Sequence, residues 1–220
     1  MTPKPDRTHI VTEYAKLASE YDSRWSSYIR MTTDATLARM PSELGDVLDV
    51  GCGTGAILSR LVDQFPASKL TGVDASSEML QIAKNRLPPQ VELRTGWAEE
   101  LAFEHSSFDT VVCCNVFHFI RHPDQALQEM LRVLRPGGVI IITDWCDDYL
   151  TCKLCDIYLR WSDPSHFRMY GVSEFQQLIE EAGASQVQIQ RYKVTWLWGL
   201  MTASATKPSV AAGGEASSAS

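Results

Sequence analysis

The sequence predicts an α/β fold, a doubly wound sheet with helices on both of its faces, from three observations. Between residues 46 and 144, short apolar runs typical of buried strands alternate with stretches of helical spacing. A glycine-rich run, residues 51–55 (GCGTG), separates the first strand from the first helix. The length of 220 residues suits one such domain with a cap. In sheets of this kind, ligands bind at the carboxyl ends of the strands.

The alternation predicts five strands and three helices. The strands are expected near residues 46–50, 69–74, 91–95, 108–114 and 138–144, and the helices near residues 55–65, 76–86 and 123–134. Pro123 suits the first turn of the third helix, and Pro136 with the two glycines after it ends that helix. Helical spacing over residues 8–22 and 26–40 predicts two more helices, so we expect an N-terminal helical cap over residues 1–40.

The segment after residue 144 departs from this alternation. Residues 149–161 predict a helix inside an insertion, residues 145–176, which we place on the substrate side of a domain spanning residues 41–206. Ser173 to Gln176 predicts a capping box that opens a further helix, which Gly183 closes. Residues 186–194 and 197–206 predict a closing hairpin. Residues 207–220, rich in Ala, Ser and Gly, predict a disordered tail.

Charge and composition narrow the classes of function. A net charge of −7 and a pI near 5.2, without any cluster of Lys and Arg, argue against nucleic acid as a partner. Residues 1–7 have no apolar core that would act as a signal peptide, and no apolar run reaches the roughly 18 residues of a membrane span. We therefore expect a cytoplasmic protein without a membrane span, either a monomer or a homodimer.

Two ligands fit the glycine run. With Ala56 in the last place, residues 51–56 satisfy the dinucleotide pattern G-x-G-x-x-G/A, and Asp74 lies about twenty residues further on, where a ribose-binding acid is expected. Asp49, however, places a carboxylate two residues before the first glycine. A carboxylate favours a ligand with an ammonium and a sulfonium group over a pyrophosphate. A nicotinamide-dependent oxidoreductase is therefore the least favoured alternative.

The same run resembles the first motif of the class I S-adenosylmethionine-dependent methyltransferases, an acid followed by G-x-G-x-G. Later segments are similar to further motifs of this family in order and spacing, so the resemblance covers about residues 45–145; these segments are residues 70–74, 96–103, 108–112, 115–118 and 134–138. The residues in these motifs are most similar to those of the branch that contains quinone C-methyltransferases and small-metabolite methyltransferases. The resemblance implies a Rossmann-like, seven-stranded sheet whose last strand is antiparallel, and S-adenosyl-L-methionine as the methyl donor.

The resemblance also implies the residues that bind this cofactor. They surround its methionine end, its ribose and adenine, and the approach to its methyl group; they are Tyr21, Asp49, Gly51, Gly53, Gly55, Asp74, Ala75, Met79, Ala98, Glu99 and Asn115. One position departs from the family, because Trp97 stands where an aspartate commonly holds the adenine amino group. That hydrogen bond would have to come from Glu99 or from backbone, or be replaced by stacking on the indole. A cofactor-binding subunit without catalysis therefore stays open as an alternative.

Methyl transfer from a sulfonium is an in-line displacement, so the main task is to hold the acceptor atom behind the methyl group. Good geometry of this kind is worth roughly 7 to 11 kcal/mol. An acceptor that carries a proton needs a base as well. The candidates are His118, after the fourth strand, Asp144, at the end of the fifth, and His166, in the insertion. Each has a structural alternative, in which it only fixes a loop or a strand end.

The insertion carries many aromatic residues, which predict an apolar or aromatic small-molecule acceptor, or a charged amine held by cation–π contact. They are Trp145, Tyr149, Tyr158, Trp161, Phe167 and Tyr170. Cys146, Cys152 and Cys155 lie in the same segment, and with His166 they form an alternative zinc set. Without a second Cys-x-x-Cys pair we favour small buried residues and expect no metal. Methylation of a thiol or a metalloid that uses Cys152 and Cys155 remains a second alternative.

Overall fold

The computed structural model describes residues 7–163, 166–196 and 198–209, which form seven strands and six α-helices. The strands are β1 (Val47–Val50), β2 (Leu70–Asp74), β3 (Glu92–Thr95), β4 (Phe108–Cys114), β5 (Leu134–Trp145), β6 (Ser185–Lys193) and β7 (Gly199–Thr206). The helices are α1 (Arg7–Leu37), α2 (Ala56–Gln64), α3 (Ser77–Arg86), α4 (Pro123–Val133), α5 (Leu150–Ser162) and α6 (Val172–Glu181), and a 3₁₀ turn spans Phe117–Phe119. The predicted alternation of strands and helices is confirmed.

All seven strands join one sheet in the order β3-β2-β1-β4-β5-β7-β6. The pairs from β3 to β5 are parallel, whereas β7 runs antiparallel to both β5 and β6. This order confirms the Rossmann-like, doubly wound sheet and its antiparallel last strand. The winding reverses between β1 and β4, so a crevice opens at the carboxyl ends of these two strands.

The central strand β1 is buried along its whole length. Its side chains alternate between the two faces of the sheet, as strand geometry requires. Val47 joins the apolar cluster of α2 and α3, whereas Leu48 and Val50 join the cluster of α4 and α6 on the other face. Asp49 therefore lies on the α2 face, at the end of β1 where the glycine run begins.

The N-terminal cap is one long helix, α1, with a kink at Trp25 (φ −113°, ψ 17°) where the sequence predicts a gap between two helices. Beyond the kink, the Thr36 hydroxyl donates to Thr143 Oγ1 of β5 at 2.7 Å. Both hydroxyls are buried. The second half of α1 is therefore anchored on the sheet, close to the crevice.

The predicted capping box of α6 is wrong. The helix begins at Val172 with Gly171 as its N-cap, so Ser173 is the second helical residue. The Asp148 carboxylate accepts a hydrogen bond from the Val172 N–H at 3.2 Å, which satisfies a donor of the first turn from outside the helix. The predicted end is confirmed, because Gly183 has a φ of 102° and donates to the Glu180 carbonyl.

The carboxyl-terminal hairpin is confirmed, as β6 and β7. Lys207 continues the pairing beyond β7, since its N–H donates to the Gly138 carbonyl at 2.9 Å and its carbonyl accepts from Gly137 at 2.8 Å. Of the predicted tail, residues 210–220 lie outside the described residues. None of the helices in the described part of the chain combines the length and the apolar character needed to cross a bilayer.

Candidate active site

A cavity occupies the crevice at the carboxyl ends of β1, β2 and β4. Residues of the glycine run, 51–54, border it on one side, and residues 73–76 and 96–99 border it on the next. Residues 114–116 complete the sheet side, and side chains of α1 cover the cavity from above. The cavity therefore lies where the reversal of strand order predicts a ligand.

The structure brings most of the predicted cofactor residues together around this cavity. Those that border it are Tyr21, Asp49, Gly51, Gly53, Asp74, Ala75, Met79, Ala98, Glu99 and Asn115. Gly55 does not border it. This residue precedes α2 with a φ of 79°, and a Cβ there would lie 2.8 Å from the Leu87 side chain. The packing of the loop thus accounts for Gly55, and a contact with cofactor stays a prediction.

Gly51 makes the tight turn out of β1. Its N–H and that of Cys52 both donate to the Val73 carbonyl, at 2.7 and 3.0 Å. Gly51 has a φ of 73°, and a Cβ there would lie 2.3 Å from the Val116 side chain. Glycine is therefore required both by backbone conformation and by space, and it leaves the backbone open to a ligand.

Asp49 borders the cavity, although only 2% of its surface is exposed. Burial, with a smaller contribution from the negative charge of Asp74, raises the pKa of Asp49 to about 8. A carboxyl group in this state gains most from a cation, because the cation restores the favourable interactions that burial removed. The position suits the positive end of a ligand.

Asp74 ends β2 and is held by backbone N–H groups. Its Oδ2 accepts from Gly53 and its Oδ1 accepts from Ser76, both at 2.8 Å. Burial raises the pKa of Asp74, while the N–H groups of Ser76, Gly53 and Ala75 oppose that rise. Each carboxylate oxygen has a second lone pair, so Asp74 can accept two more hydrogen bonds from a diol in the cavity.

Trp97 and Glu99 border the end of the cavity next to β3. The Gly96 N–H donates to the Asp74 carbonyl at 3.0 Å, which fixes the start of this segment beside β2. Trp97 accepts a hydrogen bond from the Glu100 N–H at 3.1 Å. The indole thus lies beside the place that the resemblance gives to adenine, and stacking on it stays a prediction.

Three aromatic rings cover the cavity and form what we call its roof, namely those of Tyr14, Tyr21 and Phe119. The α1 part of this roof is bonded to the glycine run, which forms the floor of the cavity. The Tyr14 ring lies 5.8 Å from that of Tyr21 and 5.4 Å from that of Phe119, and all three rings border the cavity. Asp22, next to Tyr21, forms a salt bridge with Arg86 at the end of α3. Asp22 Oδ1 also accepts from the hydroxyl of Thr54, in the glycine run, at 2.7 Å. The cap is therefore fastened directly to the glycine loop.

Asn115 follows β4 in the left-handed region, with a φ of 61°. Its side chain belongs to a polar chain that links α1 to the sheet. Trp145 Nε1 donates to the Tyr28 hydroxyl at 2.5 Å, and this hydroxyl donates to Asn115 Oδ1 at 2.7 Å. Asn115 Nδ2 then donates to Thr32 Oγ1 at 2.9 Å. Tyr28 is not among the predicted site residues, because in the sequence it is only one position in a helical pattern.

The predicted catalytic residues His118 and Asp144 form a buried pair that does not border the cavity. His118 Nδ1 lies 2.7 Å from Asp144 Oδ1, and Asp144 also accepts from the N–H groups of Phe117 and Trp145. Among the described atoms His118 Nε2 has no hydrogen-bond partner. The His118 ring stacks on Trp145 at 4.0 Å and lies 3.8 Å from the ring of Phe119, which does border the cavity.

His166 joins the same buried cluster, with its ring 5.9 Å from that of His118. Its Nε2 lies 2.8 Å from Asp156 Oδ1, and its Nδ1 has no partner within the described part of the structure. Burial lowers the pKa of His166, although Asp156 opposes that effect. His118, Asp144 and His166 thus lie in the interior, with Phe119 between His118 and the cavity, and their catalytic roles stay predictions.

The aromatic residues of the insertion do not border the cavity. Trp145 and Tyr170 pack inside the molecule, whereas Tyr158 and Trp161 are exposed on α5. The aromatic side chains that do border it are Tyr14, Tyr21, Trp97 and Phe119. The aromatic side chains around this cavity therefore come from the cap, the 3₁₀ turn and the segment after β3, and a contact of residues 145–176 with the acceptor stays a prediction.

The cysteines of the insertion form no disulfide among the described residues and lie in structural positions. Cys152 Sγ accepts a hydrogen bond from the Gly199 N–H at 3.1 Å, and Cys146 is fully buried. Burial raises the pKa of Cys146 to about 11. Cys155 is half-buried. Over the described ranges, no group of three or more His, Cys, Asp or Glu residues is placed to hold a metal ion.

The strand order, the acid and glycine run that end β1, and the acid that ends β2 define a class I S-adenosylmethionine-dependent methyltransferase. A family model for the methyltransferase domain matches residues 47–138. A demethylmenaquinone methyltransferase of Staphylococcus aureus is 32% identical over 172 residues, covering 66% of this chain and 70% of the relative. The chain belongs to the S-adenosylmethionine-dependent methyltransferase family, whose cofactor is S-adenosyl-L-methionine.

Two further comparisons describe the extent of the similarity. An uncharacterised 37.1 kDa transposon protein of Streptomyces fradiae is 38% identical over 136 residues, covering 60% of this chain and only 38% of that relative. A solved S-adenosylmethionine-dependent methyltransferase of Thermotoga maritima, named a possible histamine N-methyltransferase, has a TM-score of 0.74 and 20% identity, covering 90% of this chain and 100% of that one. The structural similarity shows the shared fold.

Proposed function

We propose that the protein transfers the methyl group of S-adenosyl-L-methionine to a small apolar or aromatic molecule. The observation that carries the proposal is that carboxyl groups and aromatic rings line the same cavity. The buried side chains of Asp49 and Asp74 border it, and so do the rings of Tyr14 and Phe119. Carboxylates suit the charged and hydroxyl groups of the cofactor, whereas aromatic rings suit a flat apolar acceptor.

The proposed cofactor site follows from the groups that face this cavity. Asp49 attracts the ammonium or the sulfonium, and Gly51 and Gly53 let the ligand approach the backbone. Asp74 accepts the two ribose hydroxyls with the lone pairs that its backbone donors leave free. Trp97 then provides a face for the adenine ring.

In the transfer step, a lone pair of the acceptor atom forms a bond to the methyl carbon while the bond from that carbon to sulfur breaks. Sulfur keeps the bonding pair and becomes neutral, which gives S-adenosyl-L-homocysteine. The aromatic roof formed by Tyr14, Tyr21 and Phe119 keeps water out and holds the acceptor in line. Positioning of this kind supplies roughly 7 to 11 kcal/mol when the geometry is good.

For an acceptor that carries a proton, we propose that His118 Nε2 is the base that takes this proton. Asp144 holds Nδ1 of the same ring, which fixes the tautomer that leaves Nε2 as an acceptor. The ring of Phe119 adjoins both His118 and the cavity, so Phe119 has to shift before the acceptor reaches Nε2. The ring of His166 lies 5.9 Å from that of His118, and a catalytic role for it stays a prediction.

The test begins with calorimetric titration by S-adenosylmethionine, S-adenosylhomocysteine and NAD. We expect micromolar binding of both adenosyl ligands, loss of that binding in Asp74→Ala, and no change in Asp63→Ala, an exposed acid on α2. Binding of NAD alone contradicts the proposal. Equal loss of binding in both variants would show that the effect does not come from the site.

An acceptor screen follows, with mass detection of the methylated product. It includes a quinone-type ring, because a Staphylococcus aureus relative is named a demethylmenaquinone methyltransferase, an aromatic amine and a thiol. Transfer to a ring compound supports the proposal. Transfer only to the thiol, lost in Cys152→Ser or Cys155→Ser, supports the thiol alternative, and cofactor binding without any transfer supports a non-catalytic subunit.

We also propose that the protein acts in the cytoplasm. The six cysteines form no disulfide among the described residues, which is consistent with a reducing compartment.

A further inference from the structure

Helix α5 presents its large apolar side chains to solvent. Leu150 is 74% exposed, Leu154 61%, Ile157 66%, Tyr158 62% and Trp161 85%. The face turned towards the protein has Cys152 and Asp156 as its buried members, and Leu159 beside them is partly buried. An amphipathic helix of a monomer shows the opposite arrangement, because its apolar side faces the core. The exposed side chains therefore need an occupant.

These side chains form one stripe along the helix. At 100° per residue, positions 150, 154, 157 and 161 fall within about 60° of one another, and position 158 widens the stripe to about 100°. The steps along the stripe are four, three and four residues. This is the spacing of helices that pack side by side along their length.

The stripe has the same spacing when it is followed in either direction. A second copy of α5, related by a two-fold axis and lying antiparallel, therefore places Leu150 against Trp161 of the other copy and Leu154 against Ile157. A two-fold interface requires this kind of self-complementarity, since the same patch is used on both sides. The stripe is thus matched to a copy of itself.

The exposed cations of α5 are Lys153 and Arg160, and both lie on the same flank of the stripe. In an antiparallel pair about a two-fold axis each flank meets the same flank of the other copy, so Lys153 lies near Arg160 of the other copy. The charge of Arg160 is already paired with Asp156 in its own chain, which reduces the repulsion between the two cations. On the opposite flank Tyr158 lies near Thr151 of the other copy.

The size of the stripe is sufficient for a stable dimer. The exposed fractions of the five side chains correspond to roughly 700 Å² of accessible surface, which exceeds the largest apolar patch of a typical monomer and approaches the roughly 800 Å² that each partner buries in a standard interface. We propose that two copies of this protein associate through α5, packed antiparallel about a two-fold axis. This proposal is independent of the proposed function.

The first measurement is the mass of the full chain in sedimentation equilibrium at micromolar concentration. We expect twice the chain mass of 24.6 kDa for the unmodified protein and 24.6 kDa for Ile157→Glu, which places a charge at the centre of the stripe. Gln81→Glu, with the same added charge at an exposed position of α3, should remain a dimer. A monomeric unmodified protein, or an Ile157→Glu variant that stays dimeric, would overturn the proposal.

A second measurement tests the antiparallel register. Leu154→Lys alone should also be monomeric, but mixing it with Ile157→Glu should restore a dimer, because position 154 of one copy faces position 157 of the other. Failure of the mixture to associate overturns this register. Circular dichroism and S-adenosylhomocysteine titration of each variant distinguish loss of association from unfolding. Binding of unmodified monomer to lipid vesicles through α5 would overturn the proposal in favour of a membrane surface.

Discussion

Cofactor binding should release a proton from Asp49. Its pKa of about 8 means that roughly nine in ten molecules carry a proton on Asp49 at pH 7. A bound cation favours the ionised form, so the carboxyl group must lose this proton when the cofactor enters. At pH 7 we therefore expect about 0.9 proton to be released for each cofactor bound.

The same linkage makes affinity depend on pH in a defined direction. The ionised fraction of Asp49 is about 1% at pH 6, 9% at pH 7 and 50% at pH 8. Affinity for S-adenosylmethionine should therefore rise about ninefold from pH 6 to pH 7, about fivefold from pH 7 to pH 8, and less than twofold above that. The gain levels off because Asp49 is then already ionised.

Calorimetry in buffers with different heats of ionisation measures this proton directly. The slope of the observed binding enthalpy against the buffer enthalpy gives the number of protons released. Asp49→Asn should bind weakly and with a slope close to zero, whereas Asp63→Asn should retain the full slope. A slope of zero in the unmodified protein, or the same slope in Asp49→Asn, would refute the reasoning.

Three further predictions follow from the site. Asp49→Asn should raise the melting temperature at pH 7 but not at pH 4, since the raised pKa of Asp49 costs the folded state up to about 4 kcal/mol as pH rises from 3.8 to 7. Gly51→Ala and Gly53→Ala should each lower cofactor affinity at least tenfold in titration, since both residues border the cavity where the ligand approaches the backbone. Gly51→Ala should also lower the melting temperature more than Gly53→Ala, because its Cβ would lie 2.3 Å from Val116 whereas that of Gly53→Ala meets no protein atom within 4 Å. Tyr28→Phe should lower kcat about tenfold with cofactor affinity within twofold, because it removes the donor to Asn115.

Each of these predictions has a result that contradicts it. An equal gain in melting temperature at both pH values would show that the asparagine acts through packing. An equal loss of melting temperature in the two glycine variants would mean that the Val116 contact is unimportant. A Tyr28→Phe variant that changes cofactor affinity and leaves kcat unchanged would assign the hydroxyl to the cofactor instead of to the acceptor geometry.

The sequence was sufficient to predict the sheet and the meeting of Asp49, Asp74 and the glycine run at one cavity. Both depend on short-range patterns, because apolar periodicity specifies the strands and the glycines with Asp49 and Asp74 follow directly on two of them. Parallel strands bring their carboxyl ends to one edge, so these groups had to meet. The fold alone therefore converts local motifs into one site.

The contacts around Asn115 and His118 were not predictable in the same way. The contact between Tyr28 and Asn115 joins residues 87 positions apart, and no local pattern marks it. His118 carries the same sequence signal whether its ring faces the cavity or packs behind Phe119. The cap of α6 likewise comes from Asp148, outside the helix. Such features depend on long-range packing, which periodicity does not encode.

The kink at Trp25 divides α1 into two parts that make different contacts. Beyond Trp25, Thr36 is bonded to β5 and stays with the sheet, whereas before it Tyr14 and Tyr21 lie over the cavity, fastened to the floor through Asp22. For a cofactor bound beneath these rings, as proposed, exchange requires the first part of α1 to move away from the cavity. We therefore expect release of S-adenosylhomocysteine to depend on bending at Trp25, while the second part of α1 stays bonded to β5.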